Sequence, residues 1–341
     1  MFIVNSYSLA IIFCFITMLC WGSWGNTQKL AGKTWRYELY YWDYVTGILL
    51  FSLLSAFTLG STGSEGRSFL PDLAQAEWSN IGSAFLGGVV FNAANILLSA
   101  AISVAGLSVA FPVGIGLALV LGVIINYIGQ QAGNPALLFG GVALVTVAVV
   151  LNASAYSRKV TAASGNAVAM AARTRNRGII LSLVAGVMMA FFYRFIAASM
   201  DLDNFVSPTV GKMTPYTAMF IFACGIFVSN FLFNTLVMRK PFEGAPVSYA
   251  EYFKGGFKIH LTGILGGLIW GLGNAFSLIA AGKAGAAISY GLGQGATLVS
   301  ALWGVFIWKE FRGAPRTVNL LLSLMFILFL AGIALIIAAG T

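Results

Sequence analysis

Residues 266–295 read GGLIWGLGNAFSLIAAGKAGAAISYGLGQG, and residues 87–116 read GGVVFNAANILLSAAISVAGLSVAFPVGIG. Aligned with an offset of 179 residues, the two stretches share eight identical positions, which include the Gly-Gly pairs at their starts and the amides Asn95 and Asn274. Both are apolar and rich in glycine, as membrane helices that pack closely are. Apolar composition does not account for the shared asparagine, which indicates an internal repeat.

The composition around this repeat is that of a membrane protein. Of the 341 residues, 59% are hydrophobic and 9% are charged, whereas soluble domains carry about a quarter of charged residues. The mean hydropathy is +0.89. A chain this apolar must give much of its surface to lipid, which excludes a water-soluble fold.

Ten runs have the roughly 20 apolar residues that a helix needs to cross a bilayer. They are residues 7–26, 40–60, 81–104, 107–129, 136–155, 178–200, 215–238, 259–281, 284–308 and 318–339. We predict an all-α integral membrane protein of ten transmembrane helices in two five-helix repeats, residues 1–156 and 178–341, joined by a basic cytoplasmic linker at 157–177. Because five is odd, the repeats are inverted, as in transporters that expose one central site to each face in turn.

Basic residues are distributed unevenly between the loops. Fifteen Lys and Arg residues follow odd-numbered runs, and only Arg67, Lys212 and Lys283 lie in loops on the other side. The positive-inside rule makes the odd-numbered loops cytoplasmic and places both termini outside the cytoplasm. The net charge of +9 therefore orients the chain in the lipid bilayer, and no nucleic acid partner is predicted.

The sequence predicts neither an enzyme nor a cofactor. Gly32-Lys33-Thr34 ends like a phosphate loop, but Thr27 stands where that loop requires its first glycine, so no nucleotide is expected. Cys14, Cys20 and Cys224 lie within apolar runs, which favours a packing role. No Ser/His/Asp, Cys/His or metal-spaced cluster is present in the sequence.

Polar side chains inside the runs are candidates for a solute site, because they are costly in lipid. Three sets each share one helix face: Asn92, Asn95 and Ser99; Trp270, Asn274 and Ser277; and Tyr290, Gln294 and Thr297. Amides beside aromatic rings suit a neutral polyhydroxyl or heterocyclic amide solute, although amides also bond neighbouring helices. The predicted solute-binding residues are Asn92, Asn95, Trp270, Asn274, Tyr290, Gln294, Trp21 and Arg194.

Asp43, at the start of the second run, is the candidate for proton coupling. A carboxylate there can take up and release a proton as its surroundings lose and regain water. It could instead cap the helix or pair with Lys29 or Arg36. Arg194 is the one basic residue clearly inside a run, and it could bind a solute oxygen or pair with Asp43. His260, at a helix mouth, is interpreted as an interfacial residue.

Several motifs resemble known transporters. Trp21-Gly22-Ser23-Trp24 and the ten inverted runs resemble the drug/metabolite transporter superfamily. Further motifs of this chain resemble the ureide permeases of plants. They are Asp43-Tyr44, Gly106-Leu107-Ser108-Val109, Gly271-Leu272-Gly273-Asn274, Ala281-Gly282-Lys283-Ala284-Gly285, and Leu298-Val299-Ser300-Ala301-Leu302-Trp303-Gly304 with Glu310 and Arg312. Residues 111–117 are similar to bacterial glucose/ribose porters and, more weakly, to rhamnose-proton symporters. Unlike plant ureide permeases, this chain has a short central loop without a phosphate-loop-like motif.

These resemblances imply secondary transport of a small neutral polar solute, often driven by protons. We predict a proton-coupled sugar transporter, located as the bacterial porters are in an inner membrane. A ureide or nucleobase permease of the same fold is the first alternative. An exporter of amphipathic drugs is disfavoured, because small drug exporters use a carboxylate in the first span and this chain has none there. A solute sensor or scaffold is the remaining alternative.

Overall fold

The computed structural model of the chain describes residues 1–32, 35–105, 107–163 and 168–341. Lys33 and Thr34 of the apparent phosphate loop, Gly106 of a family motif and residues 164–167 of the expected linker lie outside these ranges. The helices are α1 (Tyr7–Ser23), α2 (Gly25–Ala31), α3 (Tyr37–Phe57), α4 (Phe69–Gln75), α5 (Trp78–Ala105), α6 (Leu107–Gly129), α7 (Pro135–Ala163), α8 (Val168–Ala198), α9 (Pro215–Arg239), α10 (Tyr249–Phe253), α11 (Phe257–Ala284), α12 (Ala286–Gln294), α13 (Ala296–Leu302), a π-helical turn (Trp303–Ile307) and α14 (Arg316–Ala338).

Eight segments of the described chain are helices long and apolar enough to cross a membrane. They are Tyr7–Ala31, Trp78–Ala105, Pro135–Lys159, Asn176–Ala198, Pro215–Arg239, Phe257–Ala284, Ala286–Ile307 and Arg316–Ala338. The prediction of an all-α integral membrane protein is therefore confirmed. Two of the ten predicted runs correspond to helices outside this set: α3, which buries Glu38 and Asp43, and α6, which contains the apolar helix Val113–Gly129.

Local sequence signals fix several helix ends. The hydroxyl of Ser6 accepts a hydrogen bond from the backbone N–H of Leu9 and caps α1. Pro215, which needs no hydrogen-bond partner for its nitrogen, begins α9. Ser248 and Glu251 form a reciprocal capping box at α10. Gly285, with φ of 81°, joins α11 to α12 in a conformation that favours glycine.

Glycines let α5 and α9 approach closely. A Cβ at Gly88 would collide with the carbonyl oxygen of Phe222, and a Cβ at Gly225 would collide with that of Phe85. The two helices thus exchange glycine-to-carbonyl contacts in both directions. Close packing of this kind depends on small residues, because no side chain then separates the backbones.

The same reciprocal contact recurs between α3 and α11. A Cβ at Gly267 would collide with the carbonyl oxygen of Tyr44, and one at Gly47 with that of Ile264. Gly267 lies 179 positions after Gly88, the offset at which the two stretches of sequence align. The contacts between α3 and α11 therefore have counterparts, at nearly the same spacing, in those between α9 and α5.

Candidate functional site

A small cavity lies between residues of the first and last parts of the chain. Four of the predicted solute-binding residues line it, Trp21 and Asn95 from the first part and Trp270 and Gln294 from the second. The remaining lining residues are Trp24, Phe91, Leu98, Ile115, Met189, Phe192 and Ala296. None of these lining residues in the described chain is charged, so the cavity is suited to a neutral solute.

Aromatic rings form the walls of this cavity. The rings of Trp21 and Trp270 are stacked, with centroids 5.9 Å apart and planes 8° from parallel. Phe91 packs against Trp270 with a centroid distance of 4.3 Å. Two parallel indole rings provide faces against which a flat solute can lie.

Polar groups are few at the cavity and are nearly buried. The side-chain amide nitrogen of Asn95 donates a hydrogen bond to the hydroxyl of Tyr41 at 3.2 Å. Gln294 is 3% exposed and brings a second amide. The indole N–H of Trp21 is buried, and no group in the described chain accepts its hydrogen. Buried donors in proteins are almost always paired. The unpaired N–H of Trp21 is therefore available to a solute.

Three further predicted residues do not line the cavity and lie in contacts between helices. The amide nitrogen of Asn92 donates to Ser229 Oγ at 2.9 Å, and that of Asn274 lies 3.0 Å from the sulfur of Met219. The hydroxyl of Tyr290 lies 3.2 Å from the carbonyl oxygen of Ala118 and 3.3 Å from that of Met189. These side chains match the alternative already weighed, in which amides bond neighbouring helices.

Arg194 also lies away from the cavity. Its guanidinium packs against Gly129, the last residue of α6, where a Cβ would collide with it. An ion pair with Asp43, one of its two expected roles, is absent from the described residues, where the side chain within 3 Å of the Asp43 carboxylate on α11 is His260. That part of the prediction is wrong.

Asp43 instead belongs to a polar cluster that joins α3 to α10 and α11. Its Oδ1 accepts a hydrogen bond from the hydroxyl of Tyr252 at 2.7 Å. Nδ1 of His260 lies 2.9 and 3.0 Å from the two carboxylate oxygens. Asp43 is 2% exposed. The edge of His260 meets the ring of Trp35, with centroids 5.2 Å apart.

Tyr252, on the short helix α10 outside the spanning segments, is held as a hydrogen-bond donor. Burial and the neighbouring carboxylate of Asp43 raise the pKa of its hydroxyl above the ordinary value. The hydroxyl therefore stays protonated over the physiological range and donates to Asp43. The second partner of the Asp43 carboxylate, His260, is the chain's single histidine and is 21% exposed in its side chain.

The expected pairing of Asp43 with Lys29 or Arg36 is wrong. Lys29 Nζ lies 2.6 Å from Glu310 Oε1, and Arg36 Nη2 lies 2.5 Å from Glu38 Oε1. Both cations thus have nearer carboxylates. The contact of His260 with Asp43 was not predicted, because the sequence does not show which helix lies against the N-terminal end of α11.

Two further cavities lie next to the central one. A wide vestibule is lined by Lys29, Arg36, Glu38 and Glu310 among others. A second space, the passage, shares Trp21 with the central cavity and Glu310 with the vestibule. The three spaces therefore adjoin, and they open toward the side on which the basic loops lie.

The chain is similar to known transporters over its whole length. The ureide permease family profile matches residues 40–173 and 164–339. Ureide permease 2 of Arabidopsis thaliana is 26% identical, with 100% of this chain and 99% of the plant protein covered, and Ureide permease 1 of the same plant is 25% identical over 100% and 99%. A probable glucose uptake protein, GlcU, of Priestia megaterium is 25% identical over 69% of this chain and 71% of its own.

A solved crystal structure has the same fold. It superposes with a TM-score of 0.60 over 96% of both chains, at 15% sequence identity. The resemblance to ureide permeases drawn from the sequence motifs is confirmed by the profile and by both plant proteins, and the resemblance to bacterial glucose porters is supported more weakly.

Proposed function

This chain belongs to the ureide permease family, and from that premise we propose that it carries a ureide across the membrane by alternating access through its central cavity. It is an integral membrane transporter of small solutes and not an enzyme. A ureide takes the place of the sugar predicted from the sequence. The relatives named as ureide permeases match the chain from end to end, whereas the glucose uptake protein matches 69% of it.

The chemistry of the central cavity carries the proposal. A ureide is small and neutral, and its amide groups both donate and accept hydrogen bonds. The cavity offers two stacked indole rings, a free indole N–H on Trp21, and the amides of Asn95 and Gln294. Rings accept the flat face of such a solute, and the amides pair with its edge.

The architecture that we propose is ten transmembrane helices in two inverted repeats, residues 1–156 and 178–341, with residues 157–177 between them. The paired glycine contacts support it, because the interface of α5 with α9 is repeated in that of α11 with α3. In an inverted repeat, one half rocks against the other around a site at their interface. The central cavity, which draws residues from both halves, has that position.

Proton coupling is proposed at Asp43 together with His260. The pair joins α3 of the first repeat to α11 of the second, so a change in its protonation acts on a contact between the halves. Tyr252 holds the carboxylate from α10. A buried acid in contact with a partly exposed imidazole can exchange a proton with water through that imidazole.

The proposal is tested by uptake of radiolabelled allantoin into vesicles that contain the purified protein. We expect saturable uptake that unlabelled allantoin inhibits and that glucose, ribose and rhamnose do not. Asn95→Ala removes an amide from the cavity and should raise KM by about tenfold, the effect of losing roughly one hydrogen bond. Asn126→Ala is the matched control, because the Asn126 amide is buried on α6 and bonds the carbonyl of Gly122 in its own helix.

Vesicles that take up radiolabelled glucose, ribose or rhamnose but no allantoin would overturn the ureide and restore the sugar. Equal KM values for the Asn95 and Asn126 variants would remove Asn95 from the binding site. Inhibition of uptake by uracil tests for a nucleobase permease, since ureides and nucleobases share amide groups but differ in ring aromaticity.

A further inference from the structure

Three helices meet beside the central cavity at a junction made of polar side chains. Hydrogen bonds join the helices in every pairing, so that each is tied to the other two. These bonds run from Asn92 on α5 to Ser229 on α9 at 2.9 Å, from Asn95 on α5 to Tyr41 on α3 at 3.2 Å, and from Asn234 on α9 to the carbonyl oxygen of Glu38 on α3 at 2.9 Å.

Many polar atoms at this junction are buried without a partner. In the described part of the chain, the following have none: Tyr37 OH, Asn92 Oδ1, Ser99 Oγ, Asn234 Oδ1 and both amide atoms of Asn230. Asn230 is 0% exposed, and its amide can donate two hydrogen bonds and accept two. Buried polar atoms in proteins are nearly always bonded to protein or to ordered water. A cluster of unpaired ones therefore indicates a bound species.

The junction runs from one cavity to another. Asn95 at its inner end lines the central cavity. Tyr37 and Glu38 at its outer end line the vestibule. Asn230 and Asn234 are one helical turn apart on the same face of α9. The unpaired atoms thus lie between the two spaces rather than in an isolated pocket.

The mixture of donors and acceptors identifies the bound species. A cation would require oxygen ligands alone, but Asn230 also presents an N–H group. An anion would require donors, but Asn92, Asn230 and Asn234 each present an unpaired carbonyl oxygen. The nearby carboxylate of Glu38 is already paired with Arg36 at 2.5 Å. Water both donates and accepts, and it bridges such groups routinely.

We propose that a chain of bound water molecules fills the junction of α3, α5 and α9 and connects the central cavity with the vestibule. Water in this position exchanges hydrogen bonds with Asn95 as the solute arrives and leaves. The inference does not depend on which solute is carried, and it is tested without any transport measurement.

The test is radiolytic hydroxyl-radical footprinting of the purified protein, which modifies side chains that lie beside bound water. Tyr44 on α3 is the reporter, because its hydroxyl is also buried without a partner in the described chain and its ring lies 5.4 Å from that of Tyr41. Tyr193 is its matched control, since both are 0% exposed. The hydroxyl of Tyr193 lies within hydrogen-bond distance of Ser277 and Ser289. We expect Tyr44 to be modified several-fold faster than Tyr193. Equal rates in the native protein would overturn the proposal.

Substitutions at the junction provide a second test by the same measurement. Asn230→Leu replaces the unpaired amide with an apolar group of similar size, and it should lower the rate at Tyr44 several-fold while the rate at Tyr193 stays unchanged. Ser99→Ala is a smaller change with the same expected direction, and it serves if the leucine variant does not fold. Asn126→Leu changes a buried amide on α6, which is not one of the three junction helices, and should leave Tyr44 unaffected. An unchanged Tyr44 rate in the folded Asn230 or Ser99 variant would contradict a water chain at this place.

Discussion

At the scale of single residues, substitutions of Asp43 and His260 separate solute binding from proton coupling. Asp43→Asn keeps the size of the side chain and an oxygen for the Tyr252 hydroxyl, but it cannot carry a negative charge. We expect this variant to exchange labelled for unlabelled ureide across the membrane while it no longer accumulates ureide against a gradient. Wild-type protein with one proton per solute should accumulate about tenfold per pH unit, because one pH unit is about 1.4 kcal/mol.

The matched control for this substitution is Asp203→Asn. Asp203 is an exposed loop carboxylate whose partner is Gln130, at 3.1 Å, so both exchange and accumulation should remain as in wild type. His260→Gln should also reduce accumulation, since it removes the imidazole that contacts Asp43. Full accumulation by the Asp43 variant would exclude the carboxylate as the proton site.

Helix-face spacing predicted part of the cavity and not the rest, for a physical reason. Asn95 and Asn274 occupy equivalent positions of the two stretches, yet Asn95 lines the cavity and Asn274 contacts the sulfur of Met219. Spacing identifies which residues share a face, but the neighbour of that face depends on how distant helices pack. For the same reason, spacing did not predict the contact of His260 with Asp43, which is 217 positions away.

At the scale of helices, close glycine contacts hold the two related interfaces. Gly88→Ala and Gly267→Ala should each lower the melting temperature, because the added methyl group meets a backbone carbonyl that cannot move aside. Gly82→Ala on the same helix as Gly88 is the control, since nothing lies within 4 Å of a Cβ there. It should be neutral or stabilising by up to about 1 kcal/mol, the difference in helix propensity.

Thermal unfolding of the purified variants measures this difference, with a dye that fluoresces on reaction with thiols. The assay needs no introduced cysteine, because Cys14 and Cys20 are free and buried in the folded protein. A stable Gly267→Ala variant would mean that α3 and α11 do not depend on close backbone contact, and would weaken the case for a repeated interface.

Hydropathy located the helices well and their irregularities poorly. Each predicted run corresponds to helix, because apolar length alone determines whether a segment suits the bilayer. The ninth run is divided at Gly295 into α12 and α13 and ends in a π-helical turn. Hydropathy carries no information on such changes of hydrogen bonding. The short helices α4 and α10 also escaped prediction, since neither is apolar enough or long enough to mark a span.

At the scale of the molecule, the vestibule lies among basic residues, and packed side chains lie away from it. The aromatic rings of Phe91, Phe192 and Phe222 pack together beside the central cavity, with centroid distances of 5.1 to 5.7 Å. Further out, Arg67 pairs with the buried Asp72 at 2.9 Å and donates to carbonyl oxygens of the loop before α9. Alternating access requires these contacts to part as the vestibule closes.

The direction in which the vestibule opens can be measured. The positive-inside rule predicts that its side is cytoplasmic, since Lys29 and Arg36 line it. We expect an impermeant thiol reagent to label Ser103→Cys, an exposed residue of the vestibule, only in inside-out vesicles. Ser64→Cys, exposed in the loop between α3 and α4, should be labelled only in right-side-out vesicles. Both are made in a variant without the three native cysteines.

Labelling with the opposite sidedness would place the termini in the cytoplasm and reverse the orientation that the basic loops indicate. The architecture would survive such a result, because an inverted repeat looks alike from either face of the membrane. The proposed mechanism would change more. Trp35 lines the vestibule and its ring contacts His260, so a vestibule open to the outside would put the Asp43–His260 pair on the side of the external protons, and proton uptake would then precede solute entry rather than accompany its release.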